Sequence, residues 1–272
     1  MARKLKARIW LVHSSDIPTI GVKEFAYYEN FYKNIKEKAE SELDRLMSHD
    51  FLRGLKVSKF LVTDRPVWQI LKSKKFSRAD LVVIGSHGRS GFNRVLLGSN
   101  TEKIIRMADA PVLTIKRDRP GFNIAKLVLA SDFKEQTNPV FEKIKFLVRV
   151  YKPQIFLLKV ITPSDFEATP ESFKLMKQFK DRFTLKKCSI NIYNSSSIES
   201  GIADFSQEIG ADLITIPTHG RTGFARLING SLAESIATRE PKPVLSIKIP
   251  KEEEPEVEIP PEASMYQNLE FF

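Results

Sequence analysis

The chain has 272 residues, too many for one small domain and suited to two of about 130. Apolar residues make up 42% and charged residues 28%, with a formal charge of +10, a balance that argues against wholesale disorder. One cysteine, Cys188, excludes an intrachain disulfide framework and a cysteine-based zinc site, and four scattered histidines (His13, His49, His87, His219) do not form a metal-binding run.

In chain order, Ala2 to Ala7 reads as the end of a helix, and Arg8–Val12 as a short strand. Ile9 to Val12 is too short for a signal-peptide core, and no apolar run reaches the ~18–20 residues of a membrane span. The expectation is a reduced, soluble, cytoplasmic protein with no membrane partner. Lysines lie spread along helical stretches such as 33–38 and 143–152, without an Arg/Lys stripe interleaved with aromatics, which argues against nucleic acid as a partner.

Asp80 opens an apolar strand that runs into the glycine-rich turn Gly85-x-x-Gly88. Nine residues later Gly98-Ser99 starts a helix, and Pro111 precedes a last short strand. The next stretch alternates regularly. Lys126–Ser131, Gln154–Ile161, Ser189–Tyr193, Asp212–Ile216 and Val244–Ile249 are strands. Asn138–Tyr151, Pro170–Phe183 and Ile198–Ile209 are helices, and Gly230–Arg239 is a loop and helix. Phe173, Met176, Phe179 and Phe183 are expected on one helical face. Five strands separated by helices imply a parallel sheet covered on both faces. From Lys251 onward, Glu252, Glu253, Glu254, Glu256, Glu258 and Glu262 alternate with prolines, the composition of a mobile acidic extension. The expected division is 1–119, 120–250 and a tail of 251–272.

The segment 80–117 repeats at 212–249, with Asp80 matching Asp212, Gly98 matching Gly230 and Pro111 matching Pro243; about 18 of 38 positions are identical. A spacing of 132 residues is domain-sized, so the chain carries a duplicated domain. Arg8–Val12 matches the second strand of copy two at an offset of 146, so copy one lacks equivalents of about 124–146. The expectation here is a chain cut short relative to a longer natural protein. Direct pairing of Arg8–Val12 with Leu81–Ile84, or insertion of a segment of another chain, are the alternatives.

Glycines at a strand-to-helix turn let the backbone approach a ligand, and free N–H groups with the helix dipole favour a phosphate. Ser99-x-x-Glu102 and Ser231-x-x-Glu234 also read as capping boxes, which account for the serines without a ligand. His87 and His219 fit loop-stabilising hydrogen bonds better than catalysis. Arg89 and Arg221 face either phosphate or solvent, and Phe92 and Phe224 pack the loop. Asp132 stands where an open sheet places ligand contacts, or else forms an Asx turn.

Ile84-Gly-Ser-His-Gly-Arg-Ser-Gly91, Leu97-Gly98-Ser99 and Ala110-Pro-Val-Leu113 resemble the universal stress protein family, as does Leu127-Val-Leu-Ala-Ser-Asp132-Phe133. The resemblance spans about 8–117 and 124–249. It implies two tandem α/β, doubly wound, Rossmann-like domains of strand order 3-2-1-4-5, the first truncated at its N-terminus. The copies would pack as an internal pseudo-dimer through Val112–Lys116 and Val244–Lys248, with room for a homodimer and an unidentified protein partner. It further implies a stress-response regulator that binds ATP or AMP, with or without Mg, and is non-catalytic or at most a slow ATPase. The alternative is an interaction or scaffold protein that has lost its nucleotide. No P-loop and no paired-carboxylate magnesium site appears. Carried over by resemblance, the nucleotide contacts of copy two are Ala130, Ser131, Asp132, Val160, Ile216, Gly220, Gly230, Ser231 and Leu232. Those of copy one are Ile84, Gly85, Gly88, Gly98, Ser99 and Asn100. Copy two departs at Pro217, where the first signature glycine should stand, and proline supplies no N–H. Copy two thus holds the better adenine side and copy one the better phosphate loop.

Overall fold

A computed structural model describes residues 1–14, 22–62, 66–85, 99–116, 121–218, 236–237 and 241–249. The acidic tail lies outside the described residues. Copy one contributes α1 (Ala2–Leu5), β1 (Arg8–Ser14), α2 (Val22–Met47), β2 (Lys56–Val62), α3 (Val67–Ile70), β3 (Val82–Gly85), α4 (Ser99–Met107) and β4 (Val112–Ile115). Copy two contributes β5 (Lys126–Ala130), α5 (Asn138–Tyr151), β6 (Gln154–Ile161), α6 (Thr169–Arg182), β7 (Cys188–Asn194), α7 (Ile198–Glu208), β8 (Leu213–Thr218) and β9 (Val244–Lys248).

Local sequence accounts for the limits of these helices. Pro139 sits in the first turn of α5, where its missing N–H costs nothing, and Lys152 ends the helix in the left-handed region. Val140, Phe141, Ile144 and Leu147 then share one buried stripe. Ser197 caps α7 by accepting from the Ser200 N–H at 3.1 Å, and Gly210 follows it at φ +64°. In α6, Met176 and Phe179 are buried but Phe173 is half exposed, contrary to the expected common face. Steps of three residues fall about 60° short of a full turn each, so Phe173 rotates away from Phe179.

Seven strands form one sheet in the order β3-β4-β9-β8-β5-β6-β7. Within copy two the order β7-β6-β5-β8-β9 is the expected 3-2-1-4-5, all parallel. The strands β5 and β6 and the start of β8 are buried nearly throughout, as a sheet with helices on both faces requires. The copies join where β4 runs antiparallel to β9, with Leu113 opposite Leu245. These two leucines are repeat equivalents, so the pseudo-two-fold axis passes between them. Apolar side chains cover both faces across this seam. Ile104, Ile105, Ala108 and Val112 share one core with Val128, Leu158 and Phe205; Leu113 joins Leu127, Phe141, Ile144 and Leu157 on the other.

The remaining two strands, β1 and β2, pair with each other in parallel in a separate sheet, and among the described residues β3, at the edge of the large sheet, pairs only with β4. Arg8–Val12 therefore does not pair with Leu81–Ile84. An aromatic group ties this small sheet to the rest, with Trp10 edge-on to Phe76 at 5.5 Å and Phe60 edge-on to Phe76 at 5.3 Å. The one-turn α1 packs Met1 and Leu5 against the core of copy two, and Lys4 donates to the Asn123 side chain at 2.8 Å.

Candidate functional site

From β5 the chain crosses to β6 on one side, while β8 lies on the other. The strand order reverses there, and the loops leaving neighbouring strands diverge to open a crevice at the carboxyl ends. Ala130 ends β5, buried and directly opposite Leu158 of β6, and the Ser131 N–H extends that pairing by donating to the Leu158 carbonyl at 3.1 Å. Across the crevice, Ile216 follows Thr215, which pairs with Leu129.

The turn after Ala130 is tightly specified. Phe133 is buried at φ +59°, a left-handed conformation that costs a bulky residue about 1–3 kcal/mol. Its neighbours hold it there. The Phe133 N–H donates to Ser131 Oγ at 3.2 Å, and Ser131 Oγ shares a hydrogen bond of 2.7 Å with the buried Thr137 Oγ1. The Lys134 N–H donates to Asp132 Oδ1 at 3.2 Å, an Asx turn. Asp132 itself is exposed, and these bonds occupy only Oδ1. The structure thus gives Asp132 a turn-forming role through Oδ1 on an exposed side chain. Thr137 was not legible as part of this group, because nothing in its spacing marks it.

Val160 lies near the end of β6 and is engaged by packing. A Cβ built at Gly201 of α7 would stand 2.6 Å from Val160 Cγ1, so the helix rests on the strand through a bare backbone. Gly201 was missed by the sequence reading, although a glycine inside the helical pattern 198–209 was the available signal. Ile216 is buried in the core, so it offers a ligand its backbone only.

Pro217 does not break the strand. Pairing of β8 with β9 continues through Pro217–Ile247 and Thr218–Lys248. Successive residues of a parallel strand direct their amides to opposite neighbours. Since the Ile214 N–H donates to Pro243 on the β9 side, an amide at 217 would point to the β5 side. β5 has ended by then, so the donor that proline removes is one that would have faced the crevice.

Gly220, Gly230, Ser231 and Leu232 lie outside the described residues, as do His87, His219, Arg89, Arg221, Phe92 and Phe224. In copy one, Ile84 and Gly85 end β3, and Thr101 Oγ1 donates to the Gly85 carbonyl at 3.2 Å. Ser99 opens α4 and Asn100 is exposed in its first turn, with Glu102 beside it; Gly88, Gly98 and the Ser99 side chain lie outside the described residues. Because β4 and β9 are antiparallel, the carboxyl ends of β3 and β8 point to opposite ends of the sheet. The glycine turn of copy one and the β5 turn of copy two cannot complete one site.

Among the described residues, no three His, Cys, Asp or Glu side chains group closely enough to hold a metal ion, and no helix is long and apolar enough to cross a membrane. Burial pushes the Cys188 thiol up to about 11, with Lys180 and a Leu157 backbone contact opposing, so it is no nucleophile at neutral pH.

A universal stress protein of Methanocaldococcus jannaschii is 27% identical over 120 residues, 44% of this chain and 71% of its own length. A second from the same organism is 33% identical over 91 residues, 33% of this chain and 56% of its own length. Among solved structures, a universal stress protein from Archaeoglobus fulgidus superposes with a TM-score of 0.71 at 21% identity, covering 91% of this chain and 90% of its own. At that identity the likeness is one of fold. The model of the universal stress protein family matches residues 1–116 and again 123–248, so both copies, and with them the chain, belong to that family.

Proposed function

We propose that the second copy binds an adenine nucleotide, ATP or AMP, at the carboxyl ends of β5 and β8, and that occupancy regulates an interaction with a partner. The observation that carries this reading is the strained turn at Phe133, set at the point where strand order reverses and held by Ser131, Asp132 and Thr137. In this reading the Asp132 carboxylate accepts from the ribose hydroxyls, and backbone around Ala130 and Val160 flanks the adenine. The loop carrying Gly220, Gly230, Ser231 and Leu232 supplies N–H groups to the phosphates. In this reading the role is binding, with hydrolysis at most slow.

The rival reading, an interaction protein without a nucleotide, is favoured by one specific feature: Pro217 removes an amide donor on the crevice side. Isothermal titration with ATP separates the two. The proposal expects binding that Gly230→Val abolishes, that Asp132→Ala weakens about tenfold through a lost charge-assisted hydrogen bond, and that Gly98→Val leaves intact. Absence of binding to wild type, or loss with Gly98→Val alone, overturns it.

A further inference from the structure

We propose that the outer side of α6, from Phe166 and Phe173 to Lys186 and Lys187, is a docking surface, and that its occupant is this chain's own acidic and aromatic tail, residues 251–272. The inference does not rest on nucleotide binding.

The surface begins with an aromatic held out into water. Phe166 is 82% exposed, the most open of the large apolar side chains among the described residues, and Phe173 is 49% exposed. Phe166 is fixed from both sides. Before it, the Asp165 N–H donates to the Thr162 carbonyl at 3.1 Å, and Thr162 Oγ1 shares a hydrogen bond of 3.2 Å with Ser164 Oγ. After it, Glu167 pairs with the buried Lys159 and accepts from Ser172 Oγ at 2.8 Å. An apolar anchor presented on an ordered turn loses little conformational freedom when it is covered, which is what a binding surface requires.

The rest of the surface is basic. Phe173, Lys177 and Lys180 recur at helical spacing along one side of α6. Lys180 acts electrostatically on Cys188, so this side runs toward the start of β7, where Lys186 and Lys187 are exposed. Lys174, Lys177, Lys180, Arg182, Lys186 and Lys187 face only Glu171 and Asp181 within the same stretch. The exposed Lys174, Lys177, Lys186 and Lys187 hold no ion pair among the described residues.

The sequence that follows β9 has the complementary chemistry. Glu252, Glu253, Glu254, Glu256, Glu258 and Glu262 oppose the lysines in sign, and Tyr266, Phe271 and Phe272 match the exposed phenylalanines. It also starts in the right place. β9, β8, β5 and β6 are parallel, so the chain leaves β9 at the same end of the sheet at which Phe166 follows β6. Three strand spacings separate β9 from β6, about 14 Å, and α6 is about 21 Å long. Residues 251–266 can span up to about 50 Å, enough to reach either end of α6. A tether of this length holds its end at millimolar effective concentration, which favours the chain's own tail over a second copy.

The test is zero-length carbodiimide coupling of the full chain at low salt, with products sized and mapped by mass spectrometry. The reagent joins only carboxylates and amines in direct contact. The expected result is a monomer-sized product in which Glu252 to Glu262 are bonded to Lys174, Lys177, Lys186 or Lys187. Coupling to the exposed Lys36 and Lys38 of copy one should be at least about fivefold lower. Salt at about 0.5 M should suppress the product, because screening shortens the reach of these charges to a few ångströms. Phe166→Ser combined with Phe173→Ser removes no amine, and both side chains are exposed in the fold, yet it should lower coupling by about fivefold as the apolar anchor is lost. Equal coupling to Lys36 and Lys38 marks diffuse charge attraction and overturns the proposal. Coupling unchanged by the double phenylalanine variant overturns it, as does absence of coupling. Tail-to-α6 bonds found only in a dimer-sized product assign the surface to a second copy and overturn it too.

Discussion

Gly201 is where a single methyl group decides between two opposing effects. Alanine is the better helix former by about 1 kcal/mol. Yet a Cβ here would meet Val160 Cγ1 at 2.6 Å and Ser195 Cβ at 3.0 Å, and overpacking of a tight contact costs about 1–3 kcal/mol. Gly201→Ala should therefore lower stability in denaturant unfolding; a gain would show that α7 shifts freely on β6. A second local determinant is the buried Lys159, whose Nζ lies 2.5 Å from Glu167, itself accepting from Ser172 Oγ at 2.8 Å. Burial pushes the Glu167 carboxyl up, but the bonds from Lys159 and Ser172 and the charges of Lys159 and Lys134 outweigh it and hold the group below 4.5. A carboxyl depressed in the folded state contributes stability above its unfolded value and loses it as pH falls through the folded one. Wild type should lose this contribution below pH 4.5, and Glu167→Gln should flatten that acid limb of the stability profile. At neutral pH the same variant leaves a buried lysine without its partner, a loss of about 2 kcal/mol, reduced from the fully buried case because the carboxylate is partly open to water. Cys188, with its thiol at about 11, should alkylate at pH 7–8 far more slowly than free cysteine; labelling at the rate of a free thiol would contradict its burial.

Helices and strands of copy two were legible because each carries its own signal. α5 and β6 match the expected bounds at both ends, since Pro139 and Lys152 punctuate one and an uninterrupted aliphatic run marks the other. What escaped the sequence were contacts between elements: the seat of α7 on Val160, the hydroxyl of Thr137 behind Ser131, and the outward turn of Phe173. Pro217 was legible as a departure, but not as a residue that extends β8, because only the register with β9 shows the pairing carried to Thr218. The seam between β4 and β9 was expected from the family resemblance, and it makes a direct prediction. Leu113 and Leu245 face each other at the pseudo-two-fold with both side chains buried. Leu245→Ala should cost about 2–5 kcal/mol through the cavity it leaves, read as a shift in the denaturant midpoint. Because both cores contain side chains of each copy, that shift should move one transition rather than split it.

Strands β3 and β4 of copy one join the five strands of copy two in one continuous sheet, closed across the seam by polar contacts as well as packing. Lys143 Nζ donates to the Asp109 carbonyl at 2.7 Å, and Lys248 pairs with the Asp109 carboxylate at 2.8 Å. The duplication has nonetheless left the copies unequal. Copy two has a central strand, a reversal of strand order and a strained turn at its carboxyl end; copy one has the glycine pattern but, among the described residues, no strand between β1 and β3. Antiparallel pairing of β4 with β9 sends the two candidate sites to opposite ends of the sheet, so neither can supply what the other lacks. The nucleotide site proposed for copy two is therefore the single one expected per chain. Equilibrium dialysis of the purified protein against ATP at saturating concentration measures this number directly. The predicted result is one nucleotide bound per chain; two per chain, or none, would contradict it.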